Sequence, residues 1–284
     1  MGKDETEDKM RSGKFETDDA RIYYEVHGSG RPIILLHGNG ESHKIFEKYA
    51  VWFEKRGFQV ILMDSRGHGH SLLKRTSSLE FTTQDMAGDV LKLLHHLGLE
   101  QVTLLGFSDG ANIALEFASL YPEHTTEVIA VSGNAKPWGM LLPYYLFVGA
   151  EYAVAGIMRE FCQDKRQRQK FDRSRMLNGL MFHSPDLTEE RLGKIQAPTL
   201  LIAGTNDVIR VSHSQWMQRQ IPGSRLVLLK KARHVDFLHK RERYLRVIER
   251  FLKEEKGTVI RPDTRQNIRQ NIRQDAGKSE AKAV

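Results

Sequence analysis

Cysteine is nearly absent from this 284-residue chain, whose one thiol is Cys162. A single cysteine excludes an intrachain disulfide, which is typical of proteins that fold in a reducing compartment. Cys162 stands in no recognisable nucleophile motif, so we interpret it as a packing thiol. A chain of this length buries enough apolar surface to fold without disulfides or metal ions. We therefore expect one large domain with an insertion, and no cofactor.

Long apolar segments are missing as well. Residues 1–14 are polar and charged, without the apolar stretch that signal peptides carry. The most apolar segment, residues 138–158, is interrupted by Pro143, Glu151 and tyrosines, whereas a membrane span needs ~20 mostly apolar residues. The sequence therefore predicts no transmembrane segment and a cytoplasmic location, with residues 1–14 as a disordered tail.

Basic residues outnumber acidic ones, and the formal net charge is +7. They are spread along the chain, with a local excess over residues 159–175 and another in the C-terminal tail. We interpret this charge as a solvated surface, with attraction to an acidic partner or a membrane surface as the alternative. No nucleic-acid-binding motif is present, so we expect no nucleic-acid partner.

What the sequence does contain is a regular alternation of apolar runs and amphipathic segments. The runs are typical of buried strands and the amphipathic segments of helices. Strands that alternate with helices form parallel sheets, so we predict an α/β fold with a mostly parallel twisted sheet of about eight strands and helices on both faces. The strands with clear bounds span residues 22–27, 33–36, 59–63, 102–107, 127–131, 199–203 and 225–229.

The alternation breaks between residues 134 and 192, after the strand at residues 127–131, which we interpret as the sixth strand of the sheet. We predict a helical cap, or lid, inserted there, so that residues 15–133 and 193–256 form one core. Residues 257–284 change in composition and include the repeat RQNIRQNIRQ, which predicts a low-complexity tail.

The pentapeptide GFSDG, Gly106 to Gly110, carries the strongest chemical signal. It follows the apolar run VTLLGF and opens the helical segment ANIALEFASL, which is the strand–turn–helix context that a G-x-S-x-G nucleophile elbow requires. Small flanking residues permit a tight turn that presents the serine beside a helix N-terminus, where negative charge is stabilised. The pattern predicts that Ser108 is a nucleophile.

A second glycine-containing motif, HGNG, spans His37 to Gly40 directly after the run IILL. Small residues there let backbone amides approach a ligand. We predict that the amide of Asn39 pairs with that of Asp109, the residue after the nucleophile, as an oxyanion hole. We interpret His37 as a structural residue that braces the loop.

Together these motifs resemble the α/β-hydrolase superfamily, specifically its lidded branch of serine esterases and lipase-like enzymes. The resemblance covers roughly residues 15–255 and includes DSRGHGHS, residues 64–71, which matches the family's D-x-R-G-x-G-x-S segment. In the family this segment is mainly structural, which implies that Asp64 and Arg66 fix a turn. The pair His68 and His70 is too weak a pattern to predict a metal site.

The resemblance also implies an acid and a base, in the chain order nucleophile, acid, histidine. Asp207 follows the run TLLIAG at the family's usual acid position, and the family's other position reads Ser132-Gly133-Asn134, without a carboxylate. His234 lies in the loop after RLVLLK, where the family has its histidine, although Arg233 replaces the common glycine. His239 competes with it but falls in the last predicted helix.

Ser108, His234 and Asp207 imply a serine hydrolase that works through an acyl-enzyme, with carboxylic esters of small to medium apolar acyl groups as the expected small-molecule substrates. Serine at the nucleophile position argues against haloalkane dehalogenase and epoxide hydrolase chemistry. C–C bond hydrolysis, perhydrolysis and peptide hydrolysis on the same residues are alternatives. A non-catalytic binding protein on this fold is another.

Specificity is expected in the cap, whose apolar residues form either a pocket wall or the cap's own core. The side chain of Asp109 is expected to point away from the site, because its charge would oppose a developing oxyanion. The predicted substrate-binding residues are Trp138, Met140, Leu141, Leu142, Tyr144, Tyr145 and Phe147.

Overall fold

The computed structural model describes residues 10–74 and 80–257. By contacts the chain divides into two compact units, which meet in sequence at Tyr244 and Leu245. The predicted C-terminal tail over 257–284, with its repeat, lies outside the described residues except for Gly257.

Within these residues the sheet contains eight principal strands and a two-residue strand, Leu72–Leu73, that pairs with the second of them. The order across the sheet is β1-β2-β4-β3-β5-β6-β7-β8, with β3 to β8 parallel and both β1 and β4 antiparallel to β2. This confirms the predicted mostly parallel α/β sheet. The strands are β1 Arg11–Glu16, β2 Ala20–His27, β3 Arg31–Leu36, β4 Phe58–Met63, β5 Val102–Phe107, β6 Thr125–Val131, β7 Thr199–Gly204 and β8 Arg225–Leu229.

Strand β1 corrects one prediction, because Arg11 to Lys14 belong to it and not to a disordered tail. In this edge strand Phe15 alone is buried, so the segment lacks the apolar run that marks the inner strands. This segment is a strand because it pairs with β2, which brings Phe15 opposite Ile22. Its own composition does not predict that pairing.

Helices lie between the parallel strands, as predicted. Helix α2 begins at a capping box, in which the Thr82 hydroxyl accepts from the amide of Asp85 and the Asp85 carboxylate accepts from the amide of Thr82. The helices are α1 Glu47–Glu54, α2 Thr83–His96, α3 Asp109–Leu120, α4 Leu142–Phe161, α5 Lys165–His183, α6 Glu189–Gly193, α7 Val211–Gln220, α8 Asp236–His239 and α9 Arg241–Gly257. Short 3-10 turns occupy His43–Phe46, Pro122–His124 and Pro137–Gly139.

The helical region predicted after the sixth strand is present as α4, α5 and α6, between β6 and β7. Helices α4 and α5 are the long ones, and three residues join them. Among the described helices none is long and apolar enough to cross a membrane. His239 ends the short helix α8, so it precedes the final helix instead of lying inside it.

Candidate active site

Ser108 occupies a strained turn between β5 and α3. Its backbone φ is 54° and ψ is −122°, in a region that residues with a side chain rarely adopt. The flanking glycines are required by space: a Cβ on Gly106 would lie 2.1 Å from the carbonyl oxygen of Gly110, and one on Gly110 would lie 1.9 Å from that of Leu36. The elbow predicted from GFSDG is therefore a physical constraint of this backbone.

The structure brings Ser108, His234 and Asp207 together at the carboxyl edge of the sheet. They follow the carboxyl ends of β5, β8 and β7, which parallel strands place on one side. Nε2 of His234 lies 3.0 Å from Oγ of Ser108, and Nδ1 of His234 lies 2.7 Å from Oδ1 of Asp207. Both separations are hydrogen bonds, so the three side chains form one chain of donors and acceptors.

Asp207 is buried and well supplied with donors. Its Oδ2 accepts from the Ser132 hydroxyl at 2.6 Å, and its Oδ1 accepts from the amide of Ile209 at 3.2 Å. Burial acts to raise the pKa of Asp207, but the hydrogen bonds from His234 and Ser132 outweigh it and hold this pKa below its ordinary value. Asp207 is therefore an anion at neutral pH, oriented by donors on more than one side.

The amides of Asn39 and Asp109 flank the serine from the HGNG loop and the start of α3. Among the described residues neither amide donates to a protein acceptor. The side chain of Asn39 anchors the loop, since its Nδ2 donates to the carbonyl of Leu177 and its Oδ1 lies 3.2 Å from Nε2 of His68. Two amides with no protein acceptor are thus available to an oxygen atom bound beside Ser108.

His37 braces the HGNG loop, which is its predicted role. Its Nδ1–H donates to the carbonyl of Gly38 at 2.7 Å, and its Nε2 accepts from the amide of Ser65 at 3.0 Å. Burial lowers the pKa of His37 to about 4, so the ring is neutral at pH 7. With both nitrogens engaged, His37 is unsuited to act as a base.

The segment DSRGHGHS forms a hydrogen-bonded turn. Oδ1 of Asp64 accepts from the amide and the ring Nδ1–H of His43, and Oδ2 accepts from the amide of His70. Arg66 makes a two-bond ion pair with Asp89. Potential ligand atoms of His43, Asp64 and His70 lie within 4.8 Å of one another, but the Asp64 oxygens already serve as acceptors in this turn. The donor set therefore fits a structural turn better than a metal site.

A cavity of about 270 Å³ opens beside the serine. Of the predicted pocket residues, Tyr144 lines it, and Met140 joins Tyr144 around a smaller cavity of about 20 Å³ at the same serine. The larger cavity is lined by Gly38, Asn39, Gly40, Glu41, Phe107, Ser108, Tyr144, Leu177, Asn178, Met181, His234 and Val235.

The prediction is wrong for the other pocket residues, because none of them lines either cavity. Tyr145 stacks on Phe182 of α5, which makes it part of the cap's own packing. The other predicted residues lie in exposed positions: Leu142 and Phe147 on the outward side of α4, and Trp138 and Leu141 in the segment just before that helix. These exposed residues are Trp138, Leu141, Leu142 and Phe147.

Helix α5 supplies wall residues that the sequence did not suggest. It starts with the strongly basic segment KRQRQK, so its composition does not suggest a pocket wall. The wall residues Leu177 and Met181 lie near its other end. The signal that exists is the helical spacing of those two residues. Ser132 was missed for a different reason, since its contact with Asp207 crosses from one strand end to the next.

Two carboxylates border the serine. Oε2 of Glu41 accepts from the amide of Gly38 at 3.1 Å, and burial raises the pKa of Glu41. Asp109 lines the smaller cavity with Ser108 and Tyr144, so the prediction that it points away from the site is wrong. Its Oδ1 accepts from Asn112, its buried Oδ2 has no partner among the described residues, and burial raises its pKa to about 6.

Comparison with known proteins agrees with this fold. A family model described as alpha/beta hydrolase fold matches residues 31–153. The human serine hydrolase BPHL is 26% identical over 86% of this chain and 87% of its own length. The proline iminopeptidase of Clostridioides difficile (strain 630) is 25% identical over 86% of this chain and 98% of its own length. A carboxylesterase structure from Nitrososphaera gargenis superposes with a TM-score of 0.71 at 21% identity, over 87% of this chain and all of that one. Residues 31–153 thus match the α/β-hydrolase family model, and the chain has the fold of that superfamily.

Proposed function

We propose that this protein is a serine hydrolase that cleaves carboxylic esters through an acyl-enzyme on Ser108. The observation that carries the proposal is the hydrogen-bonded sequence from Ser108 through His234 to Asp207, with separations of 3.0 and 2.7 Å. A serine hydroxyl is a weak nucleophile by itself, and an imidazole in hydrogen-bond contact can take its proton as it attacks.

In the first half-reaction Oγ of Ser108 attacks the ester carbonyl carbon while its proton moves to Nε2 of His234. The bond to the leaving oxygen then breaks, and His234 returns the proton to the departing alcohol. In the second half-reaction His234 deprotonates a water that attacks the acyl-enzyme, and the acid product leaves Ser108 free. Asp207 holds the imidazole in the required tautomer and stabilises its positive charge.

The backbone amides of Asn39 and Asp109 are assigned to the oxyanion of each tetrahedral intermediate. Loss of one such donor costs about 3 kcal/mol of transition-state stabilisation in well-studied hydrolases. The burial of Asp109 favours its neutral form, with a pKa raised to about 6, and this lessens repulsion of the oxyanion at mildly acidic pH.

The cavity is consistent with small to medium acyl groups. Its volume of about 270 Å³ is just below the range of small-molecule sites, which span about 300–1,000 Å³. Leu177 and Met181 from α5 and Tyr144 from α4 form its cap side, so the cap is assigned the role of a lid that sets specificity.

Steady-state hydrolysis of p-nitrophenyl esters of increasing acyl length tests this proposal. Ser108→Ala is expected to abolish turnover, and Asp207→Asn to lower kcat by about 10⁴-fold, as expected for an orienting acid. His239→Ala is the matched control for His234→Ala, and it should retain activity. Equal activity of His234→Ala and the wild type would contradict the assignment.

A second candidate is hydrolysis of substrates that carry a free amine beside the scissile carbonyl, as in an aminoacyl ester or a peptide N-terminus. Glu41 and Asp109 favour it, because one half-buried and one buried carboxylate border Ser108 and both would attract an ammonium group. The similarity to a proline iminopeptidase supports the same class of substrate.

Paired substrates distinguish the two candidates. Benzyl esters of alanine and proline are compared with their N-acetyl forms for the wild type, Asp109→Asn and Glu41→Gln. An amine-selective enzyme prefers the free amine and loses that preference in both variants. The pKa of Asp109 is raised to about 6, so this carboxylate gains its negative charge as pH rises through that value. The enzyme's preference for the free amine would therefore grow over the same pH range. Equal rates on both forms would reject this candidate and leave the ester hydrolase in place.

A further inference from the structure

Helix α4 presents an apolar face to solvent along its whole length. Seven large apolar residues of this helix are exposed, from 46% for Met158 to 82% for Phe161. Across α4, all of which the structure describes, the charged residues that are exposed are Glu151 and Glu160. We call the seven the outer face of α4: Leu142, Leu146, Phe147, Val154, Ile157, Met158 and Phe161.

These positions form one continuous surface. At ~100° per residue they fall on one half of the helix cylinder, and a helix of 20 residues is ~30 Å long. The other half is already covered, since Val148 and Ala155 are buried and Tyr145 stacks on Phe182 of α5. A surface helix normally places polar residues outward, so a helix that is apolar on both sides indicates a second apolar environment.

The charges beside this face indicate what that environment is. Helix α5 begins a few residues after Phe161 with Lys165, Arg166, Arg168 and Lys170, all exposed. Residues 151–175 contain seven basic and four acidic residues. Exposed apolar residues next to a basic cluster are the combination by which proteins bind at the interface of an anionic bilayer.

We propose that the outer face of α4, with the basic start of α5, binds an anionic lipid surface. The helix would lie in the plane of the interface, because no described helix is fit to cross a membrane and α4 carries the charged residues Glu151, Arg159 and Glu160 beside its apolar face. Trp138, half-exposed just before α4, is of the residue type enriched at membrane interfaces.

Charge disfavours the two other occupants. A second copy of the chain carries the same net charge of +7 and would bring another basic cluster to the same place. The chain's own residues 258–284 contain six basic and three acidic residues, so their net charge has the same sign as the start of α5. An anionic membrane surface is complementary both to the apolar outer face of α4 and to the basic start of α5.

Sedimentation of the full chain with vesicles tests the proposal. Phosphatidylcholine vesicles with and without phosphatidylglycerol are compared, and binding is expected with the anionic lipid and not with phosphatidylcholine alone. Ile157→Glu/Phe161→Glu should lower binding more than tenfold. The matched control Val51→Glu/Leu72→Glu makes the same charge change at two exposed apolar residues elsewhere. Both variants are also compared with the wild type at raised salt, which screens the general effect of the added charges. Under that condition the control should bind within about twofold of the wild type.

A second variant keeps the outer face intact. Replacement of Lys165, Arg166, Arg168 and Lys170 by glutamine should weaken binding to anionic vesicles, by about fivefold per residue near the surface, and should reduce its dependence on salt. No binding to anionic vesicles, or equal losses in the α4 and control variants, would overturn the proposal. So would self-association of the wild type that the α4 variant abolishes in the absence of vesicle binding, because a second copy would then cover this face.

Discussion

The hydroxyl of Ser132 donates a hydrogen bond to Oδ2 of Asp207 across 2.6 Å. Ser132 follows β6 and Asp207 follows β7, so the bond joins the ends of two neighbouring strands. Its backbone φ of 55° places Ser132, like Ser108, in the left-handed region. Since the other oxygen of Asp207 binds His234, Ser132 fixes the rotation of the carboxylate that orients the proposed base.

Ser132→Ala is expected to lower kcat by about tenfold with little change in KM, because a hydrogen bond to a charged group contributes ~1.5 kcal/mol. Steady-state kinetics on a p-nitrophenyl ester measures this loss. Ser119→Ala is the matched control, since Ser119 is also buried and hydrogen-bonded, to the carbonyl of Arg191. An equal fall in kcat for both variants would show that Ser132 acts through the stability of the fold and not through the orientation of Asp207.

Asp109→Asn is expected to stabilise the protein at neutral pH. The folded protein raises the pKa of Asp109 to about 6, so the folded state binds this proton more tightly than the unfolded chain, whose value is ~3.9. Stability attributable to Asp109 is therefore lost as pH rises from about 4 through about 6, and the cost reaches up to ~3 kcal/mol above that.

Urea unfolding of the wild type and Asp109→Asn at several pH values measures this difference. The variant should be more stable above about pH 7, and the two proteins should converge below about pH 4. Asparagine retains an oxygen for the bond from Asn112, so that contact is preserved. A constant difference at all pH values would show that the effect does not come from ionisation.

Two glycine substitutions are expected to have opposite effects on folding. A Cβ on Gly110 would lie 1.9 Å from the carbonyl oxygen of Leu36, so Gly110→Ala should prevent the elbow from forming and yield little folded protein. Gly88, inside α2, has no atom within 4 Å of an added Cβ, so Gly88→Ala should stabilise by ~0.5–1 kcal/mol. Thermal unfolding of both variants tests this, and a normal melting temperature for Gly110→Ala would contradict the structure.

Leu177→Ala is expected to shift the preference for acyl length, whereas Phe147→Ala is not. Leu177 lines the cavity beside Ser108, while Phe147 is 58% exposed on the outer side of α4. Removing a wall residue should favour longer acyl chains by about tenfold per methylene accommodated. The measurement is kcat/KM over a series of water-soluble esters. A shift in Phe147→Ala alone would restore the sequence-based assignment of the pocket wall.

The fold was predictable where the sequence carries unbroken apolar runs. The buried parallel strands β3 and β5 are marked by such runs, and GFSDG marks the turn after β5. The edge strand β1 was not predictable, because with Phe15 as its sole buried residue it gains order from pairing with β2.

The residues of the candidate site also fall into those that local motifs predict and those that they do not. Ser108, Asp207 and His234 each occupy a local motif at a strand end, and strand order then places them within hydrogen-bond distance. Contacts between elements have no local signal, which is why Ser132 was missed. The pocket wall was misassigned because composition shows that residues 138–147 are apolar but does not reveal which of them face the cavity.

The most direct test of the central claim is identification of the residue that a fluorophosphonate probe modifies. Mass spectrometry of the labelled full chain should find one adduct, on Ser108, and labelling should vanish in Ser108→Ala and fall sharply in His234→Ala, with both variants folded. Absence of an adduct in the folded wild type, or an adduct on a different residue that persists in Ser108→Ala, would contradict the serine-hydrolase account.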